Sequence, residues 1–307
     1  MQKVLITAPV HLWLPQILQE KGFEVVLLPA ITHEQVVACI HEYAGLVITT
    51  RILVDEAVLN NAHQLQWIAR LGSGMELINV ALATSKGITC VSSPEGNSNA
   101  VAEHSLGMLL SLANNLVKSS LEIKNGQWLR NENRGWELSG KTVGIIGYGH
   151  TGAAFAKLLQ GWNVQVLAHD ILPKQPIWPH VKMVSKQEVL AHAQVVSLHL
   201  PLTAETKYYA NDSFFNSLQQ KPLFISCCRG KVTHTAALIR ALKANVIRGA
   251  ALDVLENEQL QTYTAEQQNE LRWLLAQPNV LITPHIAGYT HEAYLQMAKV
   301  VVEKLGL

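Results

Sequence analysis

Two groups of residues have types and spacings that suit chemistry. The first is Gly147-Tyr148-Gly149-His150-Thr151-Gly152, a G-x-G-x-x-G run between the apolar Thr142–Ile146 and the helix-forming Ala153-Ala154-Phe155-Ala156. In that setting Gly147 permits a tight turn and Gly149 lets a pyrophosphate approach the backbone. Gly152 lets the following helix pack close to the strand, with the helix's first N–H groups aimed at the phosphates. Asp170 ends the next apolar run, 18 positions after Gly152. A carboxylate there accepts hydrogen bonds from both ribose hydroxyls and repels a 2′-phosphate, which favours NAD over NADP.

The second group is Arg229, Glu258 and His285. Each lies just past an apolar run: Leu223–Ser226, Gly249–Leu252 and Val280–Thr283. Singly, each is an ordinary surface residue. Together, behind a nucleotide turn, they match the needs of hydride transfer to a ketone. The forming alkoxide needs a proton donor, which suits His285. That imidazole needs a carboxylate to orient it and keep it protonated, which suits Glu258. The substrate carboxylate needs a planar cation, which suits Arg229.

These residues must be positioned by elements, and the elements alternate along the chain. Lys3–Thr7, Glu24–Leu28, Gly45–Thr49, Trp67–Leu71 and Thr89–Val91 read as strands, with helical spacing at Pro15–Lys21 and Glu34–Glu42. The pattern breaks at the turn-rich Ser93–Asn99. One long helix is expected from about Ala100 to Lys124, closed by Asn125-Gly126. It is apolar on more than one face, so it needs cover on several sides. A second series of strands begins at Thr142 and runs through Val164–Ala168, Val181–Val184, Val195–Leu198 and the three runs above. Strands alternating with helices predict parallel sheets covered on both faces, and 307 residues suggest two such α/β domains.

Composition excludes several roles. Lys+Arg 24 against Asp+Glu 23, without runs of like charge, leaves no electrostatic footprint for nucleic acid or a membrane surface. No segment approaches the ~18 apolar residues of a spanning helix. Met1–Ile6 reads as a strand rather than a signal peptide, and a cytoplasmic location is expected. Cys39, Cys90, Cys227 and Cys228 form neither a metal spacing nor a disulfide framework, so no metal is expected.

The chain resembles the D-isomer-specific 2-hydroxyacid dehydrogenase family, in its phosphoglycerate dehydrogenase-like branch. The resemblance runs through Leu138–Gly147, His199-Leu200-Pro201-Leu202-Thr203 with Thr206, Arg229-Gly230, Ala251-Leu252-Asp253-Val254 and Thr283–Gly288. Val101-Ala102-Glu103-His104 and Gly126-Gln127-Trp128 match as well. It implies a Rossmann NAD-binding domain (99–287) inserted into a flavodoxin-like substrate domain (1–98 and 288–307). A helix and arm at about 99–137 would form a homodimer. It implies that Asp253 and the Cys227 region contact the nicotinamide carboxamide, and that Pro201 and Thr206 lie along the cofactor. It further implies that Ser73 and Gly74 offer N–H groups to the substrate carboxylate.

The sequence also departs from the family. Gly74 is followed by Met75-Glu76-Leu77-Ile78-Asn79 rather than x-Asp-Asn-x-Asp, and Ser226 stands where Asn is common. Gln259 replaces the usual Pro after Glu258, and Gln261–Leu275 forms a longer insert. Arg51 follows the third strand, where the resemblance places basic residues for a substrate phosphate. A single basic residue keeps glycerate or hydroxypyruvate beside D-3-phosphoglycerate as substrate. No regulatory module is expected after Leu307. Two rivals share the fold: an NADH-sensing binding protein that does not turn over, and a formate-type dehydrogenase, which needs no proton donor.

Overall fold

The computed structural model describes residues 1–307. The chain forms two compact units, Met1–Asn99 with Gly288–Leu307, and Ala100–Ala287.

The first unit carries β1 (Lys3–Ile6), α1 (Trp13–Glu20), β2 (Glu24–Leu27), α2 (His33–Cys39), β3 (Tyr43–Ile48), α3 (Glu56–Asn61), β4 (Trp67–Arg70), α4 (Val80–Ser85) and β5 (Thr89–Ser92). Its five parallel strands are ordered β2-β1-β3-β4-β5, the flavodoxin-like order. Strand pleating sorts β1 between two cores. Leu5 joins Val36, Ile40 and Ile68 on one face, while Val4 and Ile6 meet Leu14, Leu18 and Trp67 on the other. The second face is completed by the C-terminal helix, which brings Met297, Ala298, Val301 and Val302 onto it.

The second unit contains the rest: α5 (Pro94–Ala113, begun in the first), α6 (Leu116–Lys124), β6 (Thr142–Ile146), α7 (His150–Leu158), β7 (Gln165–His169), β8 (Val181–Met183), α8 (Lys186–His192) and β9 (Val195–Leu198). Then come α9 (Asp212–Asn216), β10 (Leu223–Ser226), α10 (Thr235–Lys243), β11 (Gly249–Leu252), α11 (Ala265–Leu275) and β12 (Val280–Ile282); α12 (His291–Lys304) is the C-terminal helix above. Seven parallel strands run β12-β11-β10-β9-β6-β7-β8. The order reverses between β6 and β9, the crevice where doubly wound sheets hold ligands. The central strands β9, β10 and β11 are buried along their whole length, as parallel strands covered on both faces must be.

The structure corrects the reading of the long helix. It starts at Pro94, inside the stretch expected to be a loop, because Pro is well tolerated in a first helical turn. It is also not continuous to Lys124. Asn115 adopts a left-handed conformation (φ 52°), which Asn tolerates, and this separates α5 from α6. The two halves differ in kind: α5 buries Val101, Ala102, Met108 and Leu109, whereas α6 buries nothing.

His199, just after β9, sets an acid limit on stability. Its ring is buried, with Nε2 2.9 Å from the Ser197 hydroxyl, and burial pushes its pKa down to about 4. The folded ring therefore stays neutral as pH falls through its ordinary value near 6.5, while the unfolded chain takes up a proton. Stability contributed at neutral pH is lost progressively from about 6.5 to about 4, by roughly 3 kcal/mol in all. Urea unfolding of His199→Gln should show a correspondingly flatter loss between those pH values. An unchanged pH dependence would assign the acid sensitivity to other groups.

Candidate active site

The glycine turn leaves β6 at Gly147, whose φ is 91°, and α7 begins at His150. Two of the three glycines are sterically required. A Cβ on Gly147 would strike the His199 carbonyl, and one on Gly152 would strike the Gly147 carbonyl. A Cβ on Gly149 would meet nothing within 4 Å, so beside the backbone there is open space of the kind a pyrophosphate occupies. The α7 N-terminus has no side-chain cap, which leaves its positive end for an anion. These features fit NAD. The Tyr148 side chain is buried in the core, so its part in the turn falls to its backbone. His150 and Thr151 form the helix's first turn.

Pro201 and Thr206 lie past β9, the strand paired with β6. Thr206 Oγ1 donates to the Pro201 carbonyl at 2.6 Å and accepts the Thr203 N–H at 2.7 Å, which closes this loop on itself. At the far end of β7, Asp170 accepts the Tyr148 N–H at 2.8 Å. Partial burial opposes its ionisation, but the Leu172 N–H, Lys174 and the Tyr148 N–H outweigh that and hold its carboxyl below the ordinary value.

The second group gathers at one edge of the same sheet. Because β10, β11 and β12 are adjacent and parallel, the loops after them emerge side by side. His285 Nδ1 lies 2.8 Å from Glu258 Oε2, and both side chains are partly exposed. With Nδ1 so engaged, Nε2 is the atom left to exchange a proton with a ligand. Arg229 is half-buried, and one guanidinium nitrogen donates to the Cys228 carbonyl at 2.7 Å.

His285 stands in the left-handed region (φ 55°), a conformation that costs an ordinary residue roughly 1–2 kcal/mol. Asp253 supplies the compensation. Its main-chain carbonyl accepts the His285 N–H at 2.8 Å, while its carboxylate accepts the Ile286 and Ala287 N–H groups at 2.9 and 2.8 Å. Two successive N–H groups thus cradle the carboxylate, and a third binds the main-chain carbonyl of the same residue. The Thr283 hydroxyl donates to the same carboxylate at 2.6 Å, and His104 Nε2 lies 3.0 Å from that hydroxyl.

Two residues expected along the cofactor have buried side chains. The Asp253 side chain is fully buried, and its carboxylate is bonded to the turn that carries His285. The Cys227 thiol is turned into the core, 3.9 Å from the Met108 sulfur, and burial pushes its pKa up to about 12. Any contact at Cys227 falls to its backbone. Sequence reasoning assigned no role to His104 and Thr283, although both lie in motifs it singled out, nor to Lys174.

In the first unit, Ser73 and Gly74 follow β4 in a turn where neither N–H has a partner within the chain. Arg51 follows β3 and is exposed. Its guanidinium donates to the carbonyls of Thr7 (3.0 Å), Pro29 (2.6 Å) and Ile31 (3.2 Å), clasping the loops after β1 and β2. The guanidinium thereby braces these loops.

The family model described as D-isomer specific 2-hydroxyacid dehydrogenase, NAD binding domain, matches residues 106–287. The D-3-phosphoglycerate dehydrogenase of Archaeoglobus fulgidus is 32% identical over 305 residues, covering 99% of this chain and 56% of that protein. Its namesake from Methanocaldococcus jannaschii is 33% identical over 308 residues, covering 99% and 57%. The chain thus spans little more than half the length of these relatives. Among solved structures, the TT0316 protein from Thermus thermophilus superposes with a TM-score of 0.86 at 29% identity, covering 99% of this chain and 96% of that one. No helix is long and apolar enough to cross a membrane.

Proposed function

We propose that this chain, which belongs to the D-isomer specific 2-hydroxyacid dehydrogenase family, interconverts a 2-keto acid and a D-2-hydroxy acid with NAD as cofactor. The observation that carries this reading is the Glu258–His285 pair at 2.8 Å, on a sheet edge shared with Arg229.

When bound at the glycine turn, NADH supplies the hydride. The residues of the chain do the rest. Arg229 binds the substrate carboxylate and polarises the neighbouring carbonyl. His285 Nε2 gives its proton to the carbonyl oxygen as negative charge grows there, and Glu258 stabilises the imidazolium and fixes its ring. In the oxidative direction His285 takes the proton back. Asp253 and Thr283 hold the His285 backbone. Ser73 and Gly74 are assigned to substrate binding on the strength of their unpartnered N–H groups. A proton donor of this kind favours ketone reduction over formate oxidation, which has no alkoxide to protonate.

The clasped state of Arg51 favours a non-phosphorylated substrate such as hydroxypyruvate over a phosphorylated one. The test is NADH oxidation with hydroxypyruvate, 3-phosphohydroxypyruvate, pyruvate and 2-oxoglutarate, repeated with Arg51→Ala. Preference for hydroxypyruvate, with Arg51→Ala lowering stability but not selectivity, is the expected outcome. A selective loss with 3-phosphohydroxypyruvate would make Arg51 the phosphate contact. Tight NADH binding without turnover of any acid would favour the sensor.

A homodimer is assigned to the exposed apolar residues of α6 and the arm: Leu116, Val117, Leu121 and Ile123, with Trp128 at 83% exposure. An apolar stripe of that kind on a helix burying nothing in its own chain calls for a second copy. Sedimentation velocity should show a dimer that Leu121→Glu dissociates; a monomeric wild-type chain would refute the assignment.

A further inference from the structure

Asp170 does not face a ribose alone. Its Oδ1 accepts the Leu172 N–H at 2.9 Å, and its Oδ2 accepts both the Tyr148 N–H at 2.8 Å and the Lys174 ammonium at 3.1 Å. A carboxylate offers about four acceptor positions, so three are already taken. Lys174 is doubly held as well, since Nζ also donates to the Tyr148 carbonyl at 3.0 Å. An ammonium has three N–H groups, which leaves one undirected, and the Lys174 side chain is 32% exposed.

Two consequences follow. The charge at this end of the glycine turn is a paired plus and minus, not the lone carboxylate that rejects a 2′-phosphate by Coulomb repulsion. The Tyr148 carbonyl is a second anchor for Lys174, so one of the ammonium's two bonds does not require the carboxylate.

We propose that Lys174 is a cofactor-specificity residue, a ready ligand for an adenosine 2′-phosphate that Asp170 holds paired. Removing the Asp170 carboxylate then converts a 2′-hydroxyl site to a 2′-phosphate site in one step. The proposal rests on the reading of Gly147–Gly152 as the dinucleotide turn.

The test is calorimetric binding of two probes, 5′-ADP and 2′,5′-ADP, to the full chain and to Asp170→Ala, Lys174→Met and the double variant. In Asp170→Ala, 2′,5′-ADP should bind about tenfold more tightly, the worth of one released charge-assisted bond, while 5′-ADP weakens. Lys174→Met should erase that gain in the double variant. Alone, it should weaken 2′,5′-ADP severalfold more than 5′-ADP, a comparison that stands even if Asp170→Ala folds poorly. A gain that survives loss of Lys174, or equal effects of Lys174→Met on both probes, overturns the proposal and leaves the dinucleotide turn intact. Failure of the wild-type chain to bind 5′-ADP at all overturns the turn's assignment and the proposal with it.

Discussion

Alanine at His285 is expected to slow 2-keto acid reduction by roughly two to four orders of magnitude, the usual worth of a positioned general acid. Glu258 Oε2 occupies His285 Nδ1 at 2.8 Å, so one ring nitrogen is fixed and the other is the only proton donor this ring offers. Nothing in the substitution touches the glycine turn or Asp170, so NADH affinity, read by fluorescence titration, should stay within a few-fold. Losses in turnover and affinity together would point to a collapsed loop. Turnover like that of wild type would remove His285 from the reaction.

Asparagine at Asp253 should have an effect nearly as large by a different route. The carboxylate is buried and accepts the Thr283 hydroxyl and the Ile286 and Ala287 N–H groups. The amide keeps one acceptor and turns an NH2 group toward a backbone donor, which leaves buried N–H groups unmatched. Each such loss is worth about 1–3 kcal/mol, so denaturant unfolding should show destabilisation of roughly 2–4 kcal/mol. The strained His285 turn would also relax. A displacement of about 1 Å in a catalytic group costs on the order of 100-fold in rate, and kcat should fall by that much. A variant with native stability but low kcat would instead place Asp253 against the cofactor. Native stability and native kcat would deny it both roles.

The parts of this molecule that sequence discloses are those encoded by local pattern. Val195–Leu198 and Leu223–Ser226 are apolar but for one small serine each because parallel strands are buried on both faces, and that shows in the residues themselves. The glycine turn is legible from its spacing between a strand and a helix, and the Gly152 requirement is local, since a Cβ there would strike the Gly147 carbonyl. Glu258 and His285 are legible because each follows a strand end, although only the strand order β10-β11-β12 puts those ends side by side.

Features made by distant segments are not legible. The bracing bonds of Arg51 show only once Thr7, Pro29 and Ile31 bring their carbonyls to it. The hold of Asp253 on the His285 turn shows only once the backbone after Thr283 folds over it. Lys174 looks like any surface lysine in a loop, and its meaning depends on where Tyr148 and Asp170 are held. The break at Asn115 is hidden for a related reason. Asn114-Asn115 sits between apolar runs that share helical spacing, and nothing local shows that one Asn takes the left-handed conformation.

The most direct test is to follow the transferred hydrogen. NADH deuterated at C4 of the nicotinamide, on each face in turn, would be incubated with hydroxypyruvate, and the product analysed by mass spectrometry and chiral chromatography. One of the two labelled cofactors should place deuterium at C2 of a D-2-hydroxy acid. His285→Ala should cut the rate of that transfer by at least about 100-fold. A product without deuterium from either cofactor, or one of L configuration, would rule out the proposed reaction.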